Sequence, residues 1–352
     1  MGGIKDVPFG VATSVGPLPC DDPTEAVRMA LRAQPEFPSS PTLATTQGSL
    51  LAQAVAGVSG VGVVPPGLLQ VDPELCRTDP AADPSVIDPR SVARGVDSLC
   101  GEAWTVFHEF VDQLAVPPAA GVRVNVLGPV TLALGLRAAG VPTGRAMAMA
   151  RCIVSRRAAA VLDAVRNTMP EGVVFVCASE PGMIGAVHPT FPLGPDQVLE
   201  LLTPFVDALD RHPAAGELMI GVHVPGQTDW ETIIASGISV VSAPAEPGLV
   251  GWAGELSGFL DRGGRVVWGA VPVDQPLGTG EELLWRRLSA VWCEFVAEGV
   301  DPLVLRSRSM IGPVDGLGHF GVTQAERVLD LVDSLATRVR RQAVGARLTL
   351  GA

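Results

Sequence analysis

Tyrosine is absent from this 352-residue chain, and Phe and Trp together supply only 5% of it. One common acid/base group, the phenol, is therefore unavailable to any active site. Charge is sparse too, at 18% of residues, and unbalanced: 25 Lys and Arg against 37 Asp and Glu give a net charge of −12. A chain so acidic is poorly matched to nucleic acid or to an anionic membrane surface. Apolar runs are broken by Gly, Pro or charge well short of 18 residues, so no membrane span is expected. The N-terminal stretch MGGIKDVPFG lacks the apolar core of a signal peptide, which makes the cytoplasm the expected location. Six cysteines (Cys20, Cys76, Cys100, Cys152, Cys177, Cys293) lie far apart with no C-x-x-C pair. Buried or incidental thiols fit that spacing better than a disulfide framework or a Cys-rich zinc cluster. Neither G-x-S-x-G nor H-E-x-x-H occurs, and Gly278-x-Gly280 and Gly316-x-Gly318 lack the lysine of a phosphate loop.

What the chain does contain is apolar strand-length runs alternating with helices. In Gly216 to Pro244, a run at Leu218–Val222 leads into His223 and a Pro-Gly break. A helix starting near Asp229 and a second run at Ile238–Ser242 follow. Short β-branched runs separated by helices mark parallel strands buried on both faces. Eight such runs are predicted: 9–15, 61–64, 122–127, 173–177, 218–222, 238–242, 266–270 and 307–311. Between them, helices are predicted over 91–114, 143–168 and 281–297, among others. The expected fold is α/β, a single (β/α)8 TIM barrel over residues 1–352, with a Pro/Asp-rich excursion near residues 65–90 that could serve as a lid. A doubly wound open sheet is the alternative, and the weak second strand at 61–64 decides between them.

In a barrel, the residues just past each strand share one mouth, and only there do distant ionisable groups converge. His223 could be a metal ligand, a general base or a satisfied strand-end histidine. Glu180 could hold a substrate amine, do acid/base work with a pKa raised by burial, or cap a neighbouring loop. Asp315 and His319 sit in a Gly-rich turn, for which turn chemistry is a sufficient explanation. Arg151, Arg156 and Arg157 lie within a helix, where a solvated face is the default.

Taken in order, VATSVGPLP (11–19), NVLGPVTLALGL (125–136), SEP (179–181), GVHVPG (221–226), GISVVSAP (237–244) and GPVDGLGHF (312–320) resemble the C-terminal catalytic barrel of cobalamin-independent methionine synthase. They look closest to its single-barrel relatives, within the superfamily that includes uroporphyrinogen decarboxylase. The resemblance implies a barrel-mouth zinc held by His-x-Cys, a later Glu and a distant Cys, which turns a substrate thiol into a thiolate that attacks the methyl group of methyl-tetrahydrofolate. Here the histidine is His223, but the first cysteine is replaced by Pro225 and the second by Asp315. The glutamate position holds Pro244, with Glu246 two residues on. The family's I-G-S reads Val15-Gly16-Pro17, and its D-E-P reads Ser179-Glu180-Pro181.

What this implies is a diverged enzyme transferring a methyl or related one-carbon group to a small molecule, without the zinc-thiolate site. Glu180, His223 and Asp315 would be the catalytic groups, and Ser14, Gly16, Ser179 and His319 the substrate-binding ones. No metal is expected; were one kept, its ligands would be His223, Glu246 and Asp315. The cofactor is unassigned. The expected partner is a small-molecule substrate rather than nucleic acid or membrane, with a homo-oligomer left open. The alternative is a non-catalytic ligand-binding or regulatory paralogue.

Overall fold

Seven of the expected runs pair edge to edge in one parallel sheet: β1 (Val11–Ala12), β2 (Val122–Leu127), β3 (Val174–Ser179), β4 (Leu218–His223), β5 (Val240–Pro244), β6 (Arg265–Val271) and β7 (Ser309–Pro313). The structure, a computed structural model, describes residues 7–76, 96–114, 120–274 and 280–349, with 343–349 as backbone only. The strand order is β1-β7-β6-β5-β4-β3-β2. Every neighbour is the next strand in sequence, and β1 lies beside β7. A doubly wound sheet would reverse direction at an internal switch point. This order has none, and it is consistent with a TIM-like barrel.

The eighth position differs from expectation. Val61–Val64 does not enter the sheet; it forms an antiparallel hairpin with Leu68–Val71. This hairpin packs beside the Pro129–Ala138 helix, whose Gly135 leaves room for Leu69. The free edge of β2 is instead met by Pro38–Ser40. Arg123 N donates to Pro38 O at 2.9 Å, and Ser40 N donates to Arg123 O at 2.8 Å. On the other side the Ser39 hydroxyl receives a hydrogen bond from Ser14 N at 3.1 Å and donates to Ser14 O at 2.8 Å. Proline lacks the N–H of a regular ladder, so a one-residue bridge and a side chain do this work. Among the described residues, the expected eight strands of the main sheet are met by seven, and residues 77–90 of the excursion lie outside the described residues.

Helix positions follow from caps and stripes. Asp22 and Asp229 cap the Pro23–Ala33 and Trp230–Ala235 helices through the N–H groups of Thr24 and Thr232. Thr143–Thr168 forms as expected, burying Ala146, Met149, Ile153 and Val161 at helical spacing. The helix expected over 91–114 is shorter: residues 91–95 lie outside the described residues, and a 3-10 turn at Glu102–Trp104 leads into a helix at Thr105–Gln113. Arg157 departs from the solvated face expected for it. It is 2% exposed and donates to the carbonyls of Val96 and Ser98 at 2.7 Å each, and to those of Ala54 and Ala56.

Alternation along the strands separates two apolar faces. Val174, Val176 and Ala178 of β3 pack under the helices, while Phe175 and Cys177 face a smaller cluster with Val11, Met219, Val240, Val267 and Met310. The second face carries the site.

Candidate functional site

Continuing the alternation past Cys177 puts Ser179 on the inner face, level with His223 of β4 and Ser242 of β5. Along β3, β4 and β5 the inner face thus changes from apolar to polar at the carboxyl end. His223 is 2% exposed and its Nδ1 lies 3.0 Å from the Ser242 hydroxyl. Its Nε2 has no hydrogen-bond partner among the described residues. The atom it faces is Asp315 Oδ1 at 4.0 Å, an ion-pair distance when the ring is protonated and too long for a hydrogen bond. Burial pushes the His223 pKa down, and the Arg123 charge adds to this, while Asp315 and Ser242 work upward. A neutral ring with one nitrogen anchored and the other unsatisfied can accept a proton or bind a polar ligand group.

Asp315 is brought there by two glycine contacts. Gly16, at φ +68°, follows β1, and a Cβ on it would lie 2.7 Å from Gly316 Cα. A Cβ on Gly316 would in turn meet the Pro17 ring. Leu317 N donates to Pro17 O at 2.7 Å, so the turns after β1 and β7 lie against each other. Gly316 N donates to Asp315 Oδ1 at 2.7 Å. Burial acts upward on the Asp315 carboxyl, but His223, this N–H and the nearby His319 together hold it below the usual carboxylate range.

Glu180 does not join this pair. Its backbone N donates to His223 O at 2.8 Å, yet its side chain turns to the helix layer. Oε1 accepts from Val130 N at 2.8 Å, and Oε2 accepts from Thr131 N and Thr131 Oγ1, both at 2.6 Å. The Pro129–Ala138 helix starts at Gly128, which has no side chain to cap it, so Glu180 caps it from the next strand. Gly128 also makes the room, since a Cβ there would overlap the Glu180 carboxyl. Full burial lifts the Glu180 pKa to about 7, even though the three donors pull it down.

The remaining expected groups lie around the same mouth. Ser14 is buried and held through its backbone by Ser39, Gly16 forms the glycine contact, Ser179 ends β3, and His319 is exposed in the Asp315 turn. Glu246 lies half-buried beyond β5, beside a small cavity. Among the described residues, no three His, Cys, Asp or Glu side chains form a metal-ligating group. Sequence reasoning missed Ser242, which strand alternation from Pro244 would have placed beside His223. It also missed Thr131, third residue of the helix that Glu180 caps.

No family model and no curated protein matches this sequence. Among solved structures, a Listeria monocytogenes protein assigned as a vitamin-B12-independent methionine synthase matches with a TM-score of 0.53 and 10% identity, over 96% of this chain and 98% of that one. The likeness is one of fold. At this identity it extends to the methionine-synthase-like arrangement of strands and helices and leaves the chemistry to the site. Among the described residues, no helix is long and apolar enough to cross a membrane.

Proposed function

We propose that residues 1–352 form one diverged methionine-synthase-like barrel domain, acting in the cytoplasm as a one-carbon transferase on a small molecule, with His223 as general base. The single observation that carries this reading is His223 Nε2: buried, unpartnered, and facing Asp315 at the carboxyl end of a parallel sheet. In this reading the acceptor group X–H gives its proton to Nε2, and X attacks the methyl carbon. The new X–C bond forms as the donor's N–C bond breaks, and the proton passes to the departing nitrogen. Asp315 stabilises the imidazolium while it exists, and Ser242 fixes the ring. Glu180 serves by anchoring the helix beside β3, while Ser14, Gly16, Ser179 and His319 line the approach.

A zinc-thiolate centre does not fit these residues. Both cysteine positions are occupied by Pro225 and Asp315, and His223, Glu246 and Asp315 form no ligating group. An imidazole base would replace the lowered thiol pKa that a metal otherwise supplies.

The test is transfer of a labelled methyl group from methyl-tetrahydrofolate to a panel of small thiols and amines, in the presence of a chelator. Turnover is expected in the wild type and should fall by roughly 10²–10⁴-fold in His223→Gln, the range of a lost general base. The acid limb of kcat/KM, placed below the ordinary histidine value by burial, should vanish in that variant. Equal turnover in both proteins removes the base assignment. The second reading, a ligand-binding paralogue, is favoured by one observation: Glu180, the most buried carboxylate of the three, is fully engaged in capping. Ligand binding with no turnover under any donor would select it.

A further inference from the structure

Beyond Ser242, β5 runs on to Pro244 and a loop carrying Glu246, which borders a cavity of about 30 Å³ shared with Gln227, Thr228, Trp230 and Trp252. That volume accommodates about two water-sized groups. Thr228 is 1% exposed, and its Oγ1 has no hydrogen-bond partner among the described residues. A buried hydroxyl left unpaired is costly, so such a group in a cavity wall points to something that belongs there. Among the described residues, the wall holds one carboxylate and no Lys, Arg or His. Among the described residues, no ion pair or hydrogen bond engages the Glu246 carboxylate. Gly248 keeps the space open for Gln227, whose amide a Cβ at that position would strike.

We infer that this cavity is a subsite for the ammonium head of a small primary amine. An ammonium brings three N–H donors and no acceptor, and the lining residues carry three acceptors: the Glu246 carboxylate, Thr228 Oγ1 and the Gln227 amide oxygen. The two indoles supply a surface that favours cations over neutral groups of the same size. An α-amino acid is a poorer fit than a simple amine, because its carboxylate would meet Glu246 with no basic side chain nearby. Pro244 lies two residues past Ser242, a rise of about 7 Å along the strand. Pro244 thus links the cavity wall to the end of the strand that carries Ser242. The inference rests on the reading above only for what the ligand's far end does; amine binding stands apart from it.

Methylammonium chloride titrated into the full chain, read by indole fluorescence, is the direct probe, since Trp230 and Trp252 line the cavity. The wild type should give a saturable change, weakened at least about tenfold in Glu246→Gln, as expected for loss of a charge-assisted hydrogen bond. Thr228→Val should weaken binding as well. Its unliganded thermal midpoint should equal or exceed that of the wild type, because the orphan hydroxyl is gone; Thr228→Ser should bind normally. His223→Gln should leave methylammonium affinity unchanged, so failure of the base assignment and failure of the amine subsite show up in different experiments. The inference is overturned if potassium, methanol or glycine binds as well as methylammonium, if Glu246→Gln binds normally, or if Thr228→Val melts below the wild type.

Discussion

Glu180 offers a perturbation whose size and pH dependence both follow from its three hydrogen bonds. In Glu180→Ala, the N–H groups of Val130 and Thr131 lose their acceptor, at about 1–3 kcal/mol for each buried donor left unpaired. A lost helix cap alone costs about 0.5–2 kcal/mol, so about 4 kcal/mol is the expected total where the carboxyl is neutral. Above pH 7 the comparison changes. There the wild type also bears the cost of an ionised, fully buried carboxylate, which its pKa of about 7 reflects. A shift of that size from the usual glutamate value corresponds to about 3 kcal/mol. The alanine variant should therefore cost about 4 kcal/mol at pH 5 and only about 1–2 kcal/mol at pH 8.

Glu180→Gln isolates the titration. With the folded pKa above the unfolded one, proton binding stabilises the wild type fully below the unfolded value, and this contribution is lost as pH rises through about 7. Glutamine carries no such proton. Urea unfolding of the two proteins at pH 5, 6, 7 and 8 should show the wild-type advantage shrinking by up to about 3 kcal/mol across that window. An advantage that grows with pH would refute the reasoning. It would mean that the helix N-terminus and its donors outweigh burial and hold Glu180 ionised.

Two further perturbations probe the inner face. Gly16→Ala forces a left-handed φ of +68° on alanine and drives its Cβ into Gly316; a loss of about 2–4 kcal/mol is expected in thermal or urea unfolding, with the His223 imidazole resonances shifted because the Asp315 turn must move. Arg123→Met removes a fully buried guanidinium whose only polar partners among the described residues are Asn125 and Cys177, at 2.9 and 3.1 Å, and which has one nitrogen unpaired among them. Its stability should change by less than about 1 kcal/mol or improve, and the His223 pKa, read by NMR titration, should rise because Arg123 presses it downward.

The regular part of the fold was legible wherever burial pattern and length agreed. Val122–Leu127, Thr143–Thr168 and Glu281–Ala297 have the bounds their periodicity predicts. It failed where side chains stand in for backbone. Pro35 to Pro41 reads as irregular because prolines cannot donate, yet this stretch meets the free edge of β2 through Pro38 O and Ser40 N and ties it to the turn after β1 through the Ser39 hydroxyl. Val61–Val64 has strand-like composition and does form a strand, in a hairpin rather than the main sheet, and composition does not choose a partner. His223 and Asp315 could be placed at one mouth from topology alone. Glu180 was equally well placed, but its direction could not be read, because one residue along a strand end decides between the inner face and the helix layer.

That one-residue alternation also explains how the resemblance divides. Its pieces NVLGPVTLALGL and SEP meet in space as a single clamp: Gly128 leaves the gap, Val130 and Thr131 present their donors, and Glu180 fills it. The departures fall on the other side. Ser179 belongs to the inner row, Asp315 faces His223, and Pro244 borders the cavity of Glu246. A helix start needs the same acceptor whatever ligand is bound, whereas the inner row must match a particular ligand's charge and shape. The shared Glu180-Pro181 therefore speaks for the fold, and the His223 row is where ligand and reaction would be specified.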